Sequence, residues 1–220
     1  MIVNEIFSSI EGEGKRAGEL ATFVRFAGCN LNCSYCDTKY AQDCNAGKEM
    51  SSKEIFNVIE EIGNTNITFT GGEPLLQHGL VDLVKTLSYF SCNINVETNG
   101  SEDISEFLPI DDCFLTIDYK MPSSGCENKM YLDNFSSLRM QDVIKCVVQK
   151  PDLDKLDYVL SLRNPIRLPF FYISPVYGKI DLEDIVDKMK SLHENGFDMT
   201  KVKMQVQLHK IIWGADIRGV

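Results

Sequence analysis

Three cysteines constrain this chain more than any other feature. Cys29, Cys33 and Cys36 stand in a CxxxCxxC spacing, after an apolar run and between Gly28 and Asp37-Thr38. Four thiolates are the usual complement of an iron–sulfur cluster. A tight group of three would leave one iron of a [4Fe–4S] cluster open, able to bind a small molecule and pass it an electron. The alternative is a structural zinc loop, with Cys44 or a histidine as fourth ligand. Structural zinc sites usually pair their ligands two and two, and this spacing does not.

The bulk of the sequence narrows the setting. Its 220 residues suit one domain, 1–220. A hydrophobic content of 44% is that of a globular protein with a real core. The net charge of −10 argues against a nucleic-acid surface and against an anionic membrane. No run approaches a membrane span in length. The start, Met1-Ile2-Val3-Asn4-Glu5, lacks the basic-then-apolar order of a signal peptide. A cytoplasmic location is expected. Eight cysteines in such a chain suggest metal rather than disulfides. Cys44, Cys92, Cys113, Cys126 and Cys146 are scattered. Of these, Cys92, Cys113 and Cys146 lie in apolar strand-like runs and read as buried free thiols.

Hydrophobic periodicity orders the rest. Strands are expected at Ile2 to Phe7 (a short edge strand), Leu20 to Ala27, Asn66 to Thr70, Ile94 to Glu97, Cys113 to Asp118, Asp142 to Val148, Pro169 to Ile173 and Lys201 to Leu208. Ser8 to Gly14 reads as a loop. One helix begins at Ser51, where Glu54 completes a capping-box pattern. Others fall at Leu80 to Leu87, near Asn134 to Met140, about Leu153 to Leu162, and at Leu182 to Glu194. The fold class is α/β. Strands alternating with helices imply a parallel sheet built from right-handed crossovers, curved into a partly closed barrel. Ligands bind at the C-terminal ends of such strands. Every polar cluster falls at one of these ends: the cysteine loop, then Gly71-Gly72-Glu73-Pro74, Glu97-Thr98-Asn99-Gly100, Asp118-Tyr119-Lys120 and Ser174-Pro175.

With CxxxCxxC and GGEP in this order and separation, the chain resembles the radical S-adenosylmethionine superfamily. Within it, the chain is similar to the 7-carboxy-7-deazaguanine synthase family. That narrower likeness rests on Ile6-Phe7 through Ile10-Glu11-Gly12-Glu13-Gly14, on Val24-Arg25-Phe26-Ala27-Gly28-Cys29, on Cys36-Asp37-Thr38 and on Gln205-Val206-Gln207-Leu208-His209-Lys210. It covers nearly the whole chain. The resemblance implies a shortened, distorted radical-SAM-type β/α barrel, a homodimer, and three cofactors: a [4Fe–4S] cluster, S-adenosylmethionine and Mg²⁺. It implies conversion of 6-carboxy-5,6,7,8-tetrahydropterin to 7-carboxy-7-deazaguanine with release of ammonia, toward queuosine and related deazapurines. A flavodoxin or ferredoxin-type reductant goes with it. One departure stands out: family members commonly carry IQGEG where this chain has IEGEG. An ionised carboxylate at Glu11 only accepts hydrogen bonds, whereas an amide also donates. The pterin's amino-pyrimidinone edge offers N–H donors, which suits an acceptor.

The resemblance also implies roles for single residues. Cys29, Cys33 and Cys36 hold three irons. Tyr35, Cys36, Asp37 and Thr38 border the cofactor, with Gly72 bringing backbone close to its methionine part; alone, the glycine pair reads equally as a tight turn. Glu97 and Asn99 bind ribose hydroxyls, or else Asn99-Gly100 is only a turn. Asp118, Tyr119, Lys120, Ser174 and Pro175 are further cofactor contacts, with surface exposure of Lys120 as the alternative. Ile10, Glu11, Gly12 and Thr70 face the substrate. Arg25, a cation inside an apolar strand, needs a partner: the substrate carboxylate, or an internal acid such as Glu13. Thr38 is the expected Mg²⁺ ligand, against a plain turn at Asp37-Thr38. His209 reaches the site, whereas His78 and His193 read as helix-surface residues. Two other functions compete: an activase that makes a glycyl radical on a partner protein, and an electron carrier. Arg25, the IEGEG loop and Thr38 favour a small-molecule pocket over the first. The chain's size and its three-cysteine group fit the second poorly.

Overall fold

A period of two sorts strand side chains onto opposite faces of a sheet, and in this chain the two faces differ in chemistry. The computed structural model describes residues 1–215 and 217–220. Its strands are β1 (Ile2–Ile10), β2 (Leu20–Phe26), β3 (Lys48–Glu49), β4 (Asn66–Gly71), β5 (Asn93–Thr98), β6 (Cys113–Tyr119), β7 (Val143–Val148), β8 (Phe170–Pro175) and β9 (Val202–Met204). They form one nine-stranded sheet in the order β3-β1-β2-β4-β5-β6-β7-β8-β9. From β2 to β9 every neighbouring pair is parallel, while β1 runs antiparallel to β2 and β3. The sheet does not close, so the architecture is a partly closed barrel.

The outer face is apolar. Phe26, Phe69, Val96, Ile117, Ile144 and Ile173 are buried there with the helices' inward stripes. Those helices include α1 (Ser52–Ile62), α2 (Leu80–Tyr89), α3 (Asp133–Ser137), α4 (Leu156–Ser161) and α5 (Leu182–Glu194). The expected capping box opens α1: Ser51 Oγ accepts from the Glu54 N–H, and Glu54 Oε2 accepts from the Ser51 N–H at 2.7 Å. The inner face is polar. Thr68, Asn95 and Thr116 lie deep on it, and Arg25, Thr70, Glu97, Asp118 and Lys145 line a cavity nearer the C-terminal strand ends. Only toward the N-terminal ends does it turn apolar, where Phe114, Val143 and Tyr172 pack together. Among the described residues no helix is long and apolar enough to cross a membrane.

Several boundaries differ from expectation. The first strand continues to Ile10, because Ser8 and Ser9 pair with Thr22 and Ala21. It is not the edge, since β3 pairs on its outer side. The stretch read as a strand from Lys201 to Leu208 keeps only β9; the chain then turns inward as α6 (Leu208–Ile212). The segment expected to be helical from Leu153 begins as a 3-10 helix, Lys150–Lys155, with Pro151 in its first turn, and is α-helical only over α4. The helix near Asn134 stops at Ser137, and the Arg139 N–H goes to Asp142 Oδ2 at 2.7 Å. Cys113 and Cys146 are buried as expected; Cys92 is only partly so, and Cys126 is buried as well.

Candidate active site

The strand ends and the loops beyond them enclose a cavity of about 430 Å³, within the range of small-molecule sites. Cys29, Cys33 and Cys36 lie on its wall as free thiols. Their loop is tied down at both ends. The Gly28 N–H donates to Ala41 O at 2.9 Å and the Cys29 N–H to Gln42 O at 3.1 Å. Further on, Ser34 binds the carbonyls of Ser124 and Ser123. Burial pushes the Cys33 thiol up to about 12 against the pull of Lys120, so a metal bound there would displace the proton to solvent as it took the thiolate. Among the described residues no three His, Cys, Asp or Glu side chains converge as ligands of one ion.

GGEP fastens this loop to the sheet. The Gly72 N–H donates to Phe26 O and the Glu73 N–H to Gly28 O, both at 2.9 Å. Neither glycine has room for a side chain: a Cβ would lie 2.2 Å from Phe26 O at Gly71 and 2.1 Å from Gly28 O at Gly72. Glu73 is fully buried and accepts from the Leu75 N–H, the Asn99 N–H and the Thr98 hydroxyl. Burial raises its carboxyl to about 7 even so. It joins the ends of β4 and β5, and Asn99 in turn donates to Asn30 Oδ1 at 2.9 Å beside Cys29.

Charged pairs line the remaining wall. Lys120 donates to Asp118 Oδ2 at 2.7 Å, and Asp118 Oδ1 is buried with no partner among the described residues. Lys145 pairs with Glu13. Thr70 donates to Glu97 Oε2 at 2.8 Å, and burial holds the Glu97 carboxyl above its ordinary range. Arg25 Nε donates to Glu5 Oε1 at 2.7 Å, and Tyr40 donates to the same oxygen. The two terminal nitrogens of Arg25 have no partner among the described residues, and Arg25 lines the cavity. The tail closes one side. The Leu208 N–H donates to Gly12 O at 2.8 Å, and His209 lies so close that a Cβ on Gly12 would meet its Nδ1 at 2.0 Å. Burial lowers the His209 pKa, favouring the neutral ring. Lys210 donates to Asp37 Oδ2 at 2.8 Å and so fixes the tail to the cysteine loop.

A model of the radical SAM superfamily matches residues 23–121. A 7-carboxy-7-deazaguanine synthase of Clostridium acetobutylicum is 46% identical over 222 residues, 99% of this chain and 98% of the relative. One of Thermoplasma acidophilum is 37% identical over the whole of both chains. The chain belongs to the 7-carboxy-7-deazaguanine synthase family. Its fold is that of the crystal structure of QueE from Escherichia coli, with a TM-score of 0.70 over 93% of each chain at 22% identity.

Seen as a family member, the chain gathers nearly every expected residue on one cavity. Ile10, Glu11, Gly12, Arg25, Thr70 and His209 line it, as do Tyr35, Cys36, Asp37 and Thr38. So do Gly72, Glu97, Asn99, Asp118, Lys120 and Pro175. Two side chains stand apart. Tyr119 is 2% exposed on the outer face, packed on Phe135 with its hydroxyl on Glu127. Ser174 is fully buried between Gln205 and Glu13. Strand alternation turns Tyr119 outward, whereas Ser174 keeps the inward parity of Tyr172 and is covered by Gln205 and Glu13. Arg25's internal partner is Glu5, not Glu13, because the two lie opposite in the β1–β2 register. His193 is an exposed helix residue as expected; His78 is exposed in the turn before α2. Sequence reasoning missed Lys145, although a lysine within Val143–Val148 carries the same signal as Arg25 within its strand.

Proposed function

We propose that this chain, as one radical SAM domain over 1–220, converts 6-carboxy-5,6,7,8-tetrahydropterin to 7-carboxy-7-deazaguanine with release of ammonia. The observation that carries this reading is Arg25. Its Nε is anchored on Glu5, and its terminal nitrogens have no partner among the described residues in the cavity that also holds Cys29, Cys33 and Cys36. A guanidinium with an open fork is suited to a carboxylate. The residues fit the cofactors the family implies. Three free thiols on one wall fit a [4Fe–4S] cluster with an open iron. The orphaned Asp118 Oδ1, Glu97 and Asn99 at adjoining strand ends fit the donor groups of S-adenosylmethionine. When bound, the cluster and S-adenosylmethionine supply a carbon radical that abstracts hydrogen from the substrate.

The chain's own residues bind, orient and exclude water. Arg25 holds the substrate carboxylate, Glu11 and the Ile10–Gly12 backbone face the pyrimidinone edge, and Thr70 with neutral His209 flanks the ring. Thr38 would supply one oxygen to Mg²⁺, an ion that usually keeps waters and substrate oxygens as its other ligands. Its hydroxyl donates to Asp37 Oδ1 at 3.0 Å, so its lone pairs remain available. The reading carries with it a homodimer, a cytoplasmic location and a flavodoxin or ferredoxin-type reductant. The test is anaerobic reconstitution, reduction and incubation with S-adenosylmethionine and pterin deuterated at C6, followed by mass spectrometry. Formation of 7-carboxy-7-deazaguanine is expected, with deuterium in recovered S-adenosylmethionine. Chelation of Mg²⁺ should slow turnover while iron content holds. No product from a reduced, fully loaded sample would overturn the assignment in favour of an activase.

A further inference from the structure

The floor of the cavity is built by the loop between β1 and β2, and one side chain pins it. Arg16 is 5% exposed and runs under the floor toward the N-terminal ends of β4 and β5. Its Nη2 donates to Glu11 Oε1 at 2.6 Å, to Thr68 Oγ1 at 2.7 Å and to Ile67 O at 3.2 Å. Its Nη1 donates to Asn93 O at 2.6 Å and to Asn66 Oδ1 at 3.3 Å. The Thr68 hydroxyl also bonds the same Glu11 oxygen. Glu11 Oε1 is thus fully spent. Glu11 Oε2 has no partner among the described residues, yet it is not among the sealed, orphaned atoms, and Glu11 lines the cavity. One oxygen is held from below and the other faces the ligand.

We propose that Arg16 is a positioning residue of the substrate pocket, holding one oxygen of Glu11 from below so that its second oxygen is an acceptor for the N–H groups of the pterin ring. This rests on the substrate reading above. It gives a physical reason for a carboxylate where the family commonly carries an amide. Arg16 demands an acceptor. A glutamine at position 11 would give Arg16 its carbonyl and turn its NH₂ toward the cavity, donor against donor. Without Arg16 the amide is free to flip, and a carboxylate there loses the donor that fixes its orientation. Glu13 on the same loop, Glu97 on β5 and Lys145 on β7, paired with Glu13, also face this group. All three stay constant in the variants below.

The test is equilibrium binding of 6-carboxytetrahydropterin to full-length, cluster-loaded, S-adenosylmethionine-bound protein, left unreduced so that nothing turns over. Glu11→Gln should weaken binding about tenfold, the loss of one charge-assisted hydrogen bond. Arg16→Met should weaken it by about as much, because the second oxygen of Glu11 is then no longer held toward the ligand. The double variant Glu11→Gln/Arg16→Met should bind within about threefold of the unaltered chain, because the freed amide can present its oxygen. Should Arg16→Met fail to fold, Arg16→Lys keeps a donor under Glu11 and should bind within about threefold of the unaltered chain, while Glu11→Gln alone still shows the loss. Arg16→Met or Glu11→Gln binding like the unaltered chain, or a double variant no tighter than its parents, overturns the proposal. An unaltered chain that does not bind the pterin overturns the substrate reading and this inference together.

Discussion

Gly72→Ala tests what GGEP does. The new carbon would lie 2.1 Å from Gly28 O, 2.5 Å from Gly28 C and 3.0 Å from Ala41 O, all backbone atoms. Non-bonded heavy atoms come to rest near 3.5 Å, so the cysteine loop must retreat by roughly 1 Å or more. That retreat breaks the Glu73–Gly28 and Gly72–Phe26 backbone bonds, both 2.9 Å, and strains the Gly28–Ala41 bond behind them. Two lost hydrogen bonds with buried groups left unsatisfied cost about 2 to 4 kcal/mol. For a chain of this size, that lowers the Tm by roughly 5 to 15 °C. The assay is thermal unfolding of the cluster-free chain, with iron and sulfide per chain after anaerobic reconstitution. Both should fall. Gly63→Ala is the control: Gly63 caps α1 at φ 82° with no atom nearer than 4.0 Å, so it should lose about 1 to 2 kcal/mol and no iron. A native Tm and full iron content in Gly72→Ala would refute the reasoning.

Two further outcomes are expected. Cys29→Ala, Cys33→Ala and Cys36→Ala should each abolish the cluster, whereas Cys44→Ala and Cys126→Ala should keep it, even though Cys126 packs beside Cys33. Iron and sulfide analysis decides this, and a full cluster in Cys33→Ala or none in Cys126→Ala contradicts it. The tail clamp should be acid-sensitive. Burial would raise the Asp37 carboxyl, but the charge and hydrogen bond of Lys210 prevail and hold it well below the usual range. A depressed carboxyl stabilises the fold above its unfolded pKa, about 3.9, and that contribution is lost as pH falls further. The Tm gap between native and Asp37→Asn protein should therefore be full at neutral pH and shrink below about pH 4. A gap that ignores pH would show that the pair carries no such linkage.

Much of this was legible in the sequence, for identifiable reasons. Chemistry-bearing residues beside glycines break a strand pattern at its C-terminal end, so each polar cluster could be placed before its geometry was known. What depends on register or on docking was hidden. Glu5 became the partner of Arg25 only because β1 and β2 align those two positions. Val202, Met204, Val206 and Leu208 alternate like a strand, yet the last turn is helical because the Leu208 N–H is bound by Gly12 across the cavity mouth. The GGEP glycines read as a place where backbone meets a ligand. They line the cavity, but the space they save is already filled by Phe26 and Gly28. Tyr119 and Ser174 share motif positions with true lining residues and were carried along by proximity in sequence. Alternation turns the Tyr119 side chain to the other face, and Ser174 is sealed behind Gln205 and Glu13.

The inner face also explains what kind of ligand the pocket can accept. Apolar side chains would fill a barrel of this type with core; here Phe114, Val143 and Tyr172 do so only toward the N-terminal strand ends. Above them three carboxylates are each answered by a cation, Glu11 by Arg16, Glu13 by Lys145 and Asp118 by Lys120, while among the described residues Glu97 is held by the Thr70 hydroxyl alone. The Asp37–Lys210 pair at the rim follows the same plan. Two lining guanidiniums keep donors with no partner among the described residues. Arg25 engages Glu5 through Nε alone, and Arg218 has no ion pair among the described residues. Both lie against the ring of Tyr40, Arg218 at 3.9 Å from its centroid and Arg25 at 5.9 Å. An anionic ligand entering the cavity therefore meets these two guanidiniums on one side, around Tyr40.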